Sequence, residues 1–188
     1  MRVDEWAEIS IGDYIICYDN LRVPLSSLER DKMKYGQLYP YYGAAKIVDY
    51  INNFIFNGEY LLIAEDGTVR TDDGYPILQL VSGKFWVNNH THVLQSKSPY
   101  TNFCIYIYLL KYNIDSSITG AVQPKINQEN LFKIKFINYP HDLINRYNSL
   151  VLPIENKIKI HKYNIILLQK IRDLSLPQLL NGNSQCVL

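Results

Sequence analysis

The sequence predicts an α+β protein, in which a globular domain of short strands and helices is followed by a long coiled-coil helix. Three observations carry this. In the last third, Ile144, Tyr147, Val151, Ile154, Ile158, Ile165 and Leu168 recur at steps of three and four, with only His161 breaking the run. An apolar position every 3.5 residues on average belongs to a helix packed lengthwise against another. The stripe covers about 25 residues, roughly 37 Å of helix, more than one small domain needs. Second, the first half is punctuated by turn chemistry: Asp19-Asn20, Asn52-Asn53, Asn57-Gly58, Asp66-Gly67, Asp72-Asp73-Gly74 and Ser82-Gly83. Third, the runs between these turns are rich in β-branched and aromatic residues, which reads as short strands.

Taken in order, strands are expected at Ile47 to Ile51, Glu59 to Ala64, Tyr75 to Val81 and Phe85 to Val87. Asn57-Gly58 between Phe54-Ile55-Phe56 and Tyr60-Leu61-Leu62-Ile63 predicts a hairpin, because both residues tolerate the positive φ of a type I′ turn. The apolar run from Asn102 to Tyr112 reads as a buried helix or strand, and its length and the following Asn113 favour the helix. A short helix at Gln128 to Leu131 leads into a strand at Lys133 to Asn138. Pro153 inside the stripe implies either a kink or a helix ending near Leu152 with a second one starting at the proline. The rod is expected to stop before Pro177. The predicted division is a globular domain at 1–142, a spacer or dimerisation helix at 143–182 and a frayed tail at 183–188.

Composition narrows the function classes. The apolar fraction of 47% and charged fraction of 20% are those of an ordinary globular protein. Asp4, Glu5, Glu8, Asp13 and Asp19 interrupt the first 25 residues, so neither a signal peptide nor a membrane span is read there. Cys17, Cys104 and Cys186 are few and widely spaced, which fits the reducing cytoplasm rather than a disulfide framework. The 16 tyrosines are mostly explained by biased coding. Residues 1–142 hold 13 Lys/Arg against 16 Asp/Glu, and residues 143–188 hold 6 against 2. The globular part therefore lacks the basic footprint that nucleic-acid binders usually show.

No catalytic constellation emerges. His90 and His92 alternate as one residue in and one out of a strand. Glu65-Asp66 and Asp72-Asp73 sit beside glycines, where solvated carboxylates are expected. Cys104 lies in an apolar run that makes a thiol inert. Neither a GxxxxGK[ST] phosphate loop nor a GxGxxG helix opening is present, so ATP-driven and dinucleotide chemistry find no support. No metal site is expected. A binding module is the stronger class.

A series of phrases, in order, resembles the specificity (S) subunit of type I restriction–modification systems. They are Trp6 with Ile11-Gly12-Asp13, Arg22-Val23-Pro24-Leu25-Ser26, Tyr39-Pro40-Tyr41-Tyr42-Gly43-Ala44 with Ile47-Val48-Asp49-Tyr50-Ile51, and Asn57 through Gly67. They continue with Phe85-Trp86-Val87-Asn88-Asn89-His90-Thr91-His92-Val93-Leu94, Gly120-Ala121-Val122-Gln123-Pro124-Lys125-Ile126, and Leu167 through Gly182. Each phrase is weak alone; their order and spacing from about residue 5 to 182 are specific. The departure is that a full S subunit has two target-recognition domains and two spacer helices, whereas this chain has one of each. The resemblance implies a half-specificity subunit that homodimerises through its helix to read a bipartite site in double-stranded DNA. It implies no catalysis in this chain: S-adenosylmethionine, ATP and Mg belong to modification and restriction subunits. The alternative is a regulatory protein that pairs with a full S subunit or occupies modification subunits without reading DNA.

Base edges are read by Arg, Asn and Gln, while Lys, Ser, Thr and Tyr commonly hold phosphate. Loop position then nominates Arg70 and Thr71 as base readers, and Lys46 and Lys84 as phosphate contacts. Tyr41, beside Gly43, either faces DNA or fills the core. Asn89 and His90 carry suitable donors, but their phrase is shared across the resembled family, which favours a structural role. Thr119, Gln123 and Lys125 flank Gly120 in a loop suited to phosphate. On the rod, the exposed face with Lys157, Lys159, Lys162 and Lys170 either docks modification subunits, lies near DNA or is a solvated coiled-coil surface, and His161 is a polar residue setting helix register.

Overall fold

The computed structural model describes residues 7–120 and 122–180, which form two units, residues 1–144 and 145–188. Trp6, Ala121, Cys186 and the expected tail at 183–188 lie outside the described residues. The first unit holds eight strands among the described residues: β1 (Glu8–Ser10), β2 (Ile15–Cys17), β3 (Tyr39–Tyr42), β4 (Ile47–Ile51), β5 (Phe56–Ala64), β6 (Leu78–Val87), β7 (Thr91–Ser96) and β8 (Lys135–Ile137). It also holds the short helices α1 (Ser27–Asp31), α2 (Asn102–Leu109) and α3 (Gln128–Phe132). The fold is α+β, as expected.

Strands β2 to β7 form one sheet in the order β2-β7-β5-β6-β3-β4, and β1 pairs with β8 apart from it. Neighbours are antiparallel except β3 and β6, which run parallel. One side of this sheet is packed by Phe56, Leu62, Val81, Phe85, Val87 and Val93, with Tyr18, Tyr42, Ile55 and Tyr60 closing over them. Phe56 stacks on Phe85 at 5.3 Å and Tyr60 meets both rings edge-on, geometry that favours aromatic pairs.

Two expected turns are corrected. Asn57-Gly58 does not close a hairpin and Ser82-Gly83 does not separate two strands; both dipeptides lie inside the continuous β5 and β6. Gly58 (φ 150°) stands directly opposite Gly83 (φ 91°). Paired glycines let both strands bend sharply without losing their partner. The bend is large: β6 pairs with Tyr42 at Val87, yet its Gln79 side chain donates to the Gly43 and Ala44 carbonyls.

Helix starts follow local chemistry. Ser26 and Glu29 form a reciprocal capping box on α1, while the Thr101 hydroxyl accepts from Cys104 N and the Asn127 side chain from Asn130 N. Cys104 is buried in α2, where burial pushes its thiol up to about 11.

The last element, α4 (His141–Leu180), is one unbroken helix of 40 residues, about 60 Å long at the usual rise. Of the two alternatives at Pro153, a helix ending near Leu152 is not observed and one continuous helix is, while the expected stop before Pro177 is corrected, since both prolines lie inside α4. Each removes one backbone donor, and the apolar rows on either side continue in helical phase through the interruption. Among the proposed seam residues, Ile144 belongs to the first unit and is 3% exposed, so it is a core residue of that domain rather than an open seam position. Ile154, Ile158, Ile165 and Leu168 are exposed along the helix, as is His161. No helix among the described residues is long and apolar enough to cross a membrane.

Candidate nucleic-acid interface

Three connections converge at one end of the first unit: the loop after β5 (65–77), the turn before β7 (88–90) and the loop between α2 and α3 (110–127). Glu65 N donates to the His90 carbonyl at 2.9 Å, Ile126 N to the Glu65 carbonyl at 2.8 Å and Gly67 N to the Pro124 carbonyl at 3.2 Å. Thr119 and Lys125 exchange both backbone hydrogen bonds at 2.8 Å, closing a small arm around Gly120. Arg70, Thr71, Asn89, His90, Thr119, Gln123 and Lys125, nominated separately from the sequence, thus lie on one lobe. All seven are exposed.

Three basic groups of this lobe face carboxylates. Arg70 Nε lies 3.0 Å from Asp115, Lys125 Nζ 3.1 Å from Glu65 and His90 Nδ1 2.7 Å from Asp66. This pairing explains how a domain with excess acid presents a cluster of cations without a bulk positive charge.

Beneath the surface lies a buried ionic cluster that the sequence reading missed. The Arg22 side chain, 14% exposed, contacts Glu65 at 2.5 Å and Asp19 at 3.4 Å, and donates to the Thr91 carbonyl at 2.9 Å and the Asn89 carbonyl at 3.3 Å. His92, on β7, is 1% exposed. Its Nδ1 sits 2.5 Å from Asp19 Oδ2, and its Nε2 sits 2.8 Å from the Ile126 carbonyl. Burial alone would raise the carboxyls of Asp19 and Glu65. For Asp19, hydrogen bonds from His92 and Val93 and the Arg22 charge outweigh it; for Glu65, Arg22 and Lys125 do so, and both end below their ordinary values. The alternation of His90 and His92 predicts one inward residue without saying which; the structure buries His92 on β7 and leaves His90 exposed in the turn before it, and nothing local marks Asp19 as the partner of His92.

Cys17, Asp19 and His92 offer ligand atoms within 4.8 Å of one another. The donor set argues against an ion there. Burial and the Asp19 charge push the Cys17 thiol up to about 12, and Arg22 already supplies a cation to the carboxylate.

The remaining nominated residues stand elsewhere. Tyr41 is corrected: it is 1% exposed, its hydroxyl accepts from Leu25 N at 3.0 Å, and Arg30 lies over its ring, so it belongs to the core. Lys46 is exposed at the β3–β4 turn. Lys84 is exposed on β6, with its ammonium 4.6 Å from the Phe54 ring centre and 5.7 Å from that of Tyr39. Among the described residues, no hydrogen bond or ion pair ties either lysine to the lobe.

The first unit is a bent mixed sheet with a loop lobe at one end, and the second is a single long helix. The family model for the type I restriction modification DNA specificity domain matches residues 3–146, and the chain belongs to that family. It is 36% identical over 130 residues to a type I restriction enzyme specificity subunit of Haemophilus influenzae, covering 69% of this chain and 32% of that protein. Over 109 residues it is 31% identical to the MjaIX specificity subunit of Methanocaldococcus jannaschii, covering 56% of this chain and 25% of that one. The fold matches the crystal structure of the S subunit from M. genitalium with a TM-score of 0.57 at 16% identity, covering 95% of this chain and 47% of that one. A structure from work on assembly and conformational transition of the type I system gives 0.59 at 12% identity, covering 95% and 44%. The chain thus spans about a third or less of the curated relatives it matches and under half of these solved chains.

Proposed function

We propose that this chain is the DNA-reading component of a type I restriction–modification complex and performs no chemistry itself. Its lobe of loops would read base edges, and α4 would pair with the α4 of a second copy. Two recognition domains would then face two half-sites of a bipartite, palindromic target. Methyl transfer, with S-adenosylmethionine, would belong to modification subunits docked along the helix; ATP- and Mg-dependent cleavage would belong to a restriction subunit. Such a complex acts on DNA in the cytoplasm.

The observation that supports the reading is the convergence of three loops, nominated from separate stretches of sequence, on one lobe of a domain whose family is defined by DNA specificity. The homodimer rests on the apolar row along α4, which is exposed within a single chain. A helix with that much open apolar surface is stabilised by a partner of the same periodicity.

The test is to express the chain with its modification subunit in a methylation-free host and map the methylated sites. A two-part motif whose halves are inverted copies is expected. An asymmetric motif would contradict the symmetric pair, and the absence of any motif would contradict DNA reading.

A further inference from the structure

Resting on that reading, we infer that Arg70 and Asp115 act together as a reader of one G·C base pair in each half-site. In the major groove a G·C pair presents two acceptors on guanine, N7 and O6, beside the donor N4 amino group of cytosine. An arginine next to a carboxylate is the complement of that edge, with donors for guanine and an acceptor for cytosine.

The pair has this form. Arg70 Nε lies 3.0 Å from Asp115 Oδ1, and one terminal nitrogen donates to the Thr71 carbonyl at 3.1 Å. Those bonds fix the guanidinium plane and leave its other N–H groups for a ligand. The carboxylate is held from behind: Asn113 Nδ2 donates to Asp115 Oδ2 at 3.3 Å, and Asp115 N donates to Asn113 Oδ1 at 2.9 Å. Both side chains are about half exposed, at 43% and 54%.

An exposed ion pair of this kind contributes little to stability, yet the surrounding loops are built to hold it. Gly74 has φ 83°, and a Cβ there would fall 2.4 Å from Asn113 Nδ2. Its carbonyl accepts from Ile114 N at 3.0 Å, which joins the Arg70 loop to the Asp115 loop. Thr71 N donates to the Tyr75 carbonyl at 2.8 Å, and Tyr75 N to Thr71 Oγ1 at 3.2 Å, bracing the arginine's own turn. Beside the pair opens a cleft of about 220 Å³ lined by residues 67–72 and Pro124. Rigid, preset side chains of opposite polarity are what discrimination between base pairs needs, because their ordering is complete before DNA arrives.

The test compares methylated motifs made by the full chain and its modification subunit with those of two variants, the charge-conserving Arg70→Lys and the isosteric Asp115→Asn. The wild-type motif should contain an obligatory G·C pair in each half. In both variants preference at that position should fall by roughly 10- to 100-fold, as expected from the loss of one bidentate contact, while other positions keep theirs. The inference is overturned by variants that keep the wild-type motif, by uniform loss of methylation with unchanged base preference, or by a wild-type half-site without an obligatory G·C pair. A wild-type chain directing no methylation overturns the proposed function as well, so the two failures are distinct.

Discussion

At the scale of single residues, Arg22 is the side chain on which the lobe depends. It bridges Asp19 and Glu65, which are each 12% exposed, and a carboxylate left unpaired at that depth is expensive. Arg22→Met should destabilise the domain by about 3 kcal/mol, read as a lower urea midpoint at pH 7. The two carboxyls also set the acid limit. Their folded values lie below the ordinary 3.8 and 4.5. The stability they contribute is therefore present above those ordinary values and lost as pH falls below them through the depressed folded values. Urea midpoints measured from pH 7 downwards should hold nearly level and then drop below about pH 4.5. A midpoint that rose on acidification would contradict the ionised cluster. Little of this was legible in sequence: Arg22, Glu65 and His92 are separated by tens of residues, and only the sheet brings them together. Tyr41 failed for the same reason, since a tyrosine beside glycine looks alike whether its hydroxyl meets a phosphate or the Leu25 backbone N–H.

Elements were read better where the signal is periodic than where it is punctuation. Strand β4 was predicted at its observed bounds, and α2 and α3 were placed where they occur, because side-chain pattern and capping residues act locally. Asn57-Gly58 misled because glycine's freedom serves a bend as well as a turn, and only the facing Gly83 distinguishes the two. Pro153 leaves a kinked helix and a broken one both open, and Pro177 misleads, because continuous apolar surface on both sides outweighs one missing hydrogen bond. Pro153→Ala restores that bond and should stabilise α4 by up to about 3 kcal/mol, raising the thermal midpoint. In the proposed pair His161, an exposed polar residue in the apolar row, would specify register at a cost in affinity. His161→Leu should tighten self-association in sedimentation equilibrium; a weaker dimer would show that His161 is not in the seam.

For the whole molecule, the fold class is legible from periodicity and turn chemistry, and the family from ordered phrases spread along the chain. The lobe was legible only as scattered candidates, since loop-to-loop hydrogen bonds leave no trace in residue type. In the proposed complex two copies pair along α4, which gives it two reading heads. Sedimentation equilibrium of the full chain at micromolar concentration tests it most directly. A species of twice the 21.9 kDa chain mass is predicted, converted to single chains by Ile158→Glu with Ile165→Glu. A wild-type protein that stays at 21.9 kDa at the highest concentration would contradict it.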